Sequence, residues 1–332
     1  MGKASHITGK RVEALVYILL IIGFILLIKG ADYFVEGASN IAFKLNVSPL
    51  LIGLTIVAFG TSAPEATVSI AGALEGSAGV VLGNVIGSNI VNITLVLGIT
   101  ALVAPIAVKS ETVRKEIPFA LLAGIVLMIL MADVALQGAA ENILGLGDGL
   151  VILLIFSVFL YYVFEIAMKN RTEAQVEVEA DAGESWLKNI LLTTGGLIAI
   201  VFGGSMVVDG AIEIALALGM SETLVGLTIV AVGTSLPEII TSITAAMKNQ
   251  GDIAFGNIVG SNIFNILFVA GASSTIAPLA IESKLFFDGW VMVVLTVLLL
   301  IFSRTHFRIG RKEGAVMLAA YLAYLVYIII RN

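Results

Sequence analysis

Cysteine is absent from the 332-residue chain, histidine occurs twice, proline six times, and charged side chains make up only 13%. Without cysteine there are no disulfides, no thiol chemistry and no thiolate metal sites. His6 and His306 both fall outside the apolar stretches, which excludes a membrane-embedded metalloenzyme built on histidine ligands. The charged fraction is about half of the roughly 25% usual in soluble domains, whereas 59% of the residues are hydrophobic and the mean hydropathy is +1.07. A water-soluble fold is thereby excluded, and the implied surroundings are a lipid bilayer. The net charge of −6 reflects one short acidic stretch and scattered chain ends, so it points to no nucleic acid; no obligatory protein partner is evident.

What is present is a series of long apolar runs. A helix of about 20 apolar residues crosses a hydrocarbon core of about 30 Å, whereas barrel strands are shorter and alternate. The runs predict an all-α integral membrane protein with about ten transmembrane helices, at 12–44, 48–74, 78–104, 117–134, 147–168, 187–218, 221–247, 252–277, 286–303 and 312–330. The first and sixth exceed one upright crossing, so they are expected to be tilted, bent or partly outside the membrane. No cleaved targeting segment is expected, because the first run is much longer than a signal-peptide core. Lys44, Lys109, Arg114, Lys115, Lys169, Arg171, Lys188, Lys248, Arg304, Arg308, Arg311 and Lys312 fall on one side of such a chain, against Lys3, Lys10, Arg11, Lys284 and Arg331 on the other. The richer side is expected to be cytoplasmic, leaving both termini outside in a multi-pass cell-membrane protein.

The chain repeats itself. Gly53 to Glu65, reading GLTIVAFGTSAPE, returns 173 residues later as GLTIVAVGTSLPE, Gly226 to Glu238. The offset holds without a gap through GNVIGSNIVN, from Gly83 to Asn92, and GNIVGSNIFN, from Gly256 to Asn265. Half of the positions between 47–98 and 220–271 are identical. This divides the chain into a first repeat of five helices at 1–168, an acidic linker at 169–186 and a second repeat of five helices at 187–332. Five is odd, so the second copy enters the membrane from the opposite side and the two repeats are expected to be inverted. The linker has no apolar period and is expected to be cytoplasmic and without a fold of its own.

Each copy sets a carboxylate behind a proline inside an apolar span. Pro64 lacks an N–H to bond the Gly60 carbonyl, and Pro237 likewise leaves that of Gly233, so both spans are expected to be interrupted. On helical spacing Thr61, Glu65 and Ser69 share a face, as do Thr234, Glu238 and Ser242, with Ser62 and Ser235 three residues before the acids. Asn84, Ser88 and Asn92 form a stripe at steps of four, matched by Asn257, Ser261 and Asn265. The donors are all oxygen, which suits hard cations such as calcium, sodium or magnesium, and calcium best because magnesium resists losing its water. Two buried carboxylates repel unless a cation lies between them. An acid placed twice in one Pro-broken setting outweighs a mere packing role, since each costs about 2.5–3.5 kcal/mol at membrane depth on insertion scales. For Gly83, Gly87, Gly256 and Gly260 close helix packing is the expected role. Asp32, Glu36, Asp209 and Glu213 are alternatively linings of an access path or structural acids, with Lys29 able to pair with Asp32.

The two motifs resemble the pair of alpha-repeats of the calcium/cation antiporter superfamily, in its sodium/calcium exchanger branch, over nearly the whole chain. The resemblance implies a sodium/calcium antiporter of ten helices in two inverted halves, with no cofactor beyond the transported ions. It also implies four ion sites in a central cluster, and a first and sixth helix that slide across the other eight. Carried over position by position, Glu65 and Glu238 are the principal calcium ligands, assisted by the backbone at Thr61 and Thr234. Ser62, Ser88, Ser235 and Ser261 serve sodium, and Asn92 and Asn265 complete the centre. Some relatives carry aspartate where Asn265 stands, so less proton sensitivity is expected here. A proton/calcium antiporter of the same superfamily is the alternative, disfavoured by hydroxyl and amide groups that do not titrate. A passive channel would need a continuous polar pore, and an intramembrane serine protease would need a base beside Ser62 or Ser88.

Overall fold

Backbone amides have no water to bond inside a bilayer, and this chain meets that constraint by closing its hydrogen bonds within helices. The computed structural model describes residues 2–174, 185–219, 231–305 and 307–331. Its long helices are α1 (Gly2–Leu45), α2 (Pro49–Thr61), α3 (Ala63–Leu74), α4 (Ala78–Val103), α5 (Glu116–Leu130) and α6 (Leu146–Ala174). The second part of the chain adds α7 (Trp186–Ala217), α8 (Leu236–Met247), α9 (Gly251–Ile276), α10 (Ser283–Arg304) and α11 (Arg311–Arg331).

Among the described residues seven helices are long and apolar enough to cross a membrane, and the bent pair of α2 and α3 makes up to eight. Of the two remaining expected spans, 117–134 is the 15-residue α5, about 22 Å long at 1.5 Å per residue. The other, 221–247, is seen as a short helix at Ala231–Gly233 followed by α8, residues 220–230 lying outside the described residues together with most of the expected linker. The two over-long spans are each a single unbroken helix, α1 and α7.

Four two-residue strands were not expected. β1 (Ile106–Ala107) pairs antiparallel with β4 (Arg308–Ile309), and β2 (Ile143–Leu144) with β3 (Leu279–Ala280). Each pairing joins a strand of the first repeat to one of the second. Two residues are too few for alternation to register in a sequence.

The breaks fall where proline demands. Ser48 caps α2 through its hydroxyl, with Pro49 in the first turn. The helix stops at Thr61, Ser62 turns at φ −83°, ψ 9°, and α3 departs at 49°. Ser235 repeats that turn, at φ −89°, ψ 7°, in front of Pro237. Wide π-helical turns occupy Gly53–Val57, Asn92–Val96 and Asn265–Ala270. Such turns gather at functional sites because they re-aim side chains. Here two of the three begin on the last asparagine of a repeated motif.

α1 and α7 pack into a second, smaller core. The larger core lies among α2–α6 and α9–α11, with Ile239 of α8. The smaller one joins Leu27, Phe34 and Val35 of α1 to Ile200 and Val207 of α7, and to Val57 of α2, Ala245 of α8 and Ile253 of α9. Between α1 and α7 runs a glycine seam. A methyl built on Gly23 would meet the Gly203 carbonyl oxygen at 2.9 Å, one on Gly30 the Gly196 oxygen at 2.9 Å, and one on Gly37 the Thr193 amide at 2.7 Å. Gly23, Gly30 and Gly37 recur every seven residues, and Gly196, Gly203 and Gly210 sit at the same 173-residue offset as the motifs. Backbones this close are held by packing, the main attraction between helices in lipid.

Candidate functional site

The two breaks place the acids at one level and against each other's hydroxyls. Ser62 donates to Glu238 Oε1 at 2.8 Å, and Ser235 donates to Glu65 Oε1 at 3.2 Å. Each serine therefore reaches across to the other repeat's carboxylate. Both acids are buried, Glu65 at 1% and Glu238 at 0% exposure. A buried carboxylate is tolerable only with donors or a cation around it. Yet Glu65 Oε2 and Glu238 Oε2 have no hydrogen-bond partner among the described residues.

The third span of each repeat, α4 and α9, carries the polar stripes. Ser88, Asn92, Ser261 and Asn265 are all buried. Among the described residues both side-chain polar atoms of Asn92 and of Asn265 are unpartnered, as is Thr234 Oγ1. Buried polar atoms are almost always bonded. Such orphans, on residues able to present oxygen, are the donor type a hard cation takes. Close packing brings them there: methyls on Gly256 and Gly260 would meet the Leu50 and Leu54 carbonyl oxygens at 2.6 and 2.7 Å. The equivalent neighbours of Gly83 and Gly87 lie outside the described residues.

Asn84 and Asn257, first members of the two stripes, act as braces, which spacing alone did not reveal. Asn84 Nδ2 donates to Ser69 Oγ at 2.8 Å and to the Glu65 carbonyl at 3.0 Å. Asn257 Nδ2 donates to Ser242 Oγ at 3.0 Å, and its Oδ1 accepts the Thr61 hydroxyl at 2.9 Å. Their regular step of four from Ser88 and Ser261 was the signal. What it lacked was the partner helix.

The other candidate acids stand apart from this cluster. Asp32 pairs with Lys248 at 2.9 Å and with Lys29 at 3.9 Å. Glu36, Asp209 and Glu213 are on exposed faces of α1 and α7. Asp133 and Asp148 cap loop amides at Ile143 and Gly145.

The family model for "Sodium/calcium exchanger protein" matches residues 15–165 and 188–330. The chain is 43% identical to the putative antiporter CaxA of Alkalimonas amylolytica over 311 residues, covering 92% of this chain and 96% of that one. It is 34% identical to the sodium/calcium exchanger MaX1 of Methanosarcina acetivorans, covering 93% and 97%. A solved structure of the sodium-calcium exchanger NCX_Mj, soaked with sodium and calcium, superposes with a TM-score of 0.80 at 35% identity, covering 94% of this chain and 98% of that one.

Proposed function

The chain belongs to the sodium/calcium exchanger protein family, a family of membrane transporters, and from that premise we propose that it is a sodium/calcium antiporter. It uses the inward sodium gradient to extrude calcium by alternating access at a central site. The observation that carries this is the reciprocal pair of bonds, Ser62 to Glu238 and Ser235 to Glu65, each leaving one carboxylate oxygen bare. Glu65 and Glu238 hold calcium, with the backbone at Thr61 and Thr234. Ser62, Ser88, Ser235 and Ser261 take sodium on the same oxygens, and Asn92 and Asn265 complete the centre.

Exchange follows from charge. Two uncompensated carboxylates cannot be carried cheaply through a low-dielectric barrier. The empty site therefore stays on the side where it unloaded until calcium or sodium neutralises it. Because the two ions compete for one set of ligands, the downhill flow of one drives the other.

Alternation needs two related halves, and we take 1–168 and 187–332 to be inverted repeats of five helices, joined by the linker at 169–186. Two contacts support the inversion. Lys109, just after α4, pairs with Asp252 at the start of α9 at 2.6 Å. Conversely a methyl on Gly79, at the start of α4, would lie 2.8 Å from Glu282, which follows α9. Contacts of start with end are what an inverted pair of equivalent helices requires. The lysine and arginine distribution further assigns the linker to the cytoplasm and both termini to the outside.

The deciding experiment is calcium uptake into proteoliposomes preloaded with sodium, beside vesicles carrying only a pH gradient. Uptake is expected in the first and not in the second. Uptake driven by protons alone would move the chain to a proton/calcium mechanism. Within the sodium reading, Ser88→Ala or Ser261→Ala should raise the sodium needed for half-maximal exchange more than the calcium, by about five- to tenfold for one lost ligand. Equal shifts for both ions would leave these serines a structural role only.

A further inference from the structure

The site's hydrogen bonds are not symmetric, although its sequence is. Thr61 donates to Asn257 Oδ1 at 2.9 Å. The repeat-equivalent bond would join Thr234 to Asn84 Oδ1, but Thr234 Oγ1 is buried without a partner among the described residues, and Asn84 Oδ1 instead takes Ser88 Oγ at 3.4 Å. The carboxylates follow suit. Ser62 lies 2.8 Å from Glu238, whereas the equivalent Ser235 lies 3.2 Å from Glu65, and Ser261 turns to the Ala58 carbonyl at 3.5 Å whereas its equivalent Ser88 turns to Asn84.

The surroundings differ in the same sense. Beside α3 lies an open, mainly apolar groove of about 500 Å³, lined by Phe59, Ala63, Ala66 and Thr67 among others. Their equivalents on α8 are covered: Leu236 and Ile240 pack against the smaller core formed with α1, and Ile239, equivalent to Ala66, is buried. Among the described residues, α3 thus borders open space where the matching positions of α8 are packed.

We infer that Thr61–Asn257 and Thr234–Asn84 are alternative hydrogen bonds, one formed in each access state, which makes Asn257 and Asn84 positioning residues for the ligand-bearing bend packed against them. The inference rests on the alternating-access reading above. In a chain built from two inverted copies, the second state is obtained by exchanging the conformations of the copies. Exchange here releases Thr61 from Asn257 and gives Thr234 to Asn84. The threonine side chain is thus the handle that fixes its own carbonyl, the atom offered to calcium, and each amide holds that handle only while its half is engaged. A bond present in one state and absent in the other biases their populations by its full net value.

The chain has no native cysteine, so one reporter cysteine can be read directly. Ile239→Cys is covered in the present state, and its labelling by a water-soluble thiol reagent reports the population of the other. In that background Thr61→Val should raise the labelling rate about fivefold and Thr234→Val lower it about fivefold, the effect of one net hydrogen bond. Thr61→Ser and Thr234→Ser keep the hydroxyl and should restore the parent rate. General loosening would raise labelling in both valine variants. A change of the same sign in both, or no change in either, would overturn the inference. The readout needs no transport, so sodium-driven calcium uptake by the unlabelled parent protein separately tests the exchange reading.

Discussion

Glu65→Gln and Glu238→Gln are each expected to abolish calcium transport, with apparent calcium affinity falling at least about a hundredfold, because the charge count of a calcium site sets its affinity over several decades. Each side chain sits against one hydroxyl with its second oxygen bare. Glutamine keeps the size and one acceptor while removing the charge a divalent ion needs. Stability separates lost binding from lost folding. In a calcium chelator both variants should be at least as stable as the parent, since an unpaired charge in the interior has been removed. Added calcium should stabilise only the parent, by about 2.7 kcal/mol at a hundred times its dissociation constant. Thermal unfolding in detergent, with and without calcium, reads both. Preserved calcium flux through a folded glutamine variant would take the acids out of the site.

Gly203→Val should destabilise the protein by about 1–3 kcal/mol, the usual result of forcing bulk into a close-packed contact. A methyl there would already lie 2.7 Å from the Gly23 carbonyl oxygen and 2.8 Å from the Leu27 amide. The neighbour is backbone and cannot swing away, so α1 and α7 must part along the seam. Gly195 lies on the same helix, and a methyl there meets none of the described atoms within 4 Å. Gly195→Val is therefore expected to leave the melting temperature nearly unchanged. Equal losses from the two substitutions would mean that the effect is one of helix propensity. The seam also lies against the broken span, with Leu197 packed 3.1 Å from the methyl position of Gly60. Flux per folded molecule should accordingly fall in Gly203→Val and not in Gly195→Val.

The polar stripes and the glycine seam mark two limits on what can be read from the chain. Thr61, Ser62 and Glu65 could be picked out because a proline and an acid are each costly in an apolar span, and because Thr234, Ser235 and Glu238 repeat them. Asn84 and Asn257 were visible as members of a stripe, but a stripe does not say whether an amide faces a guest or braces a neighbour. Gly23, Gly30 and Gly37 recur at seven-residue steps in plain view. Their meaning rests on α7, since a small residue is significant only where another backbone presses on it. The outcome at Asp32 was equally beyond local reading, because Lys248, its nearer partner, lies 216 positions away.

By itself the sequence determined the membrane setting, the duplication, the place of both helix breaks and the kind of donor atoms the repeated segments carry. Those follow from composition and from local covalent facts: apolar length against bilayer thickness, a proline without an N–H, and oxygen donors without nitrogen or sulfur. Only the tertiary structure decided that each serine serves the opposite repeat's carboxylate, that α1 and α7 are joined along glycines, and that Thr61 is held while Thr234 is not. These are relations between segments more than a hundred residues apart, in a chain whose two copies are nearly equivalent. Identical local sequences carry no information about which copy is engaged, so that asymmetry arises only once the helices are packed.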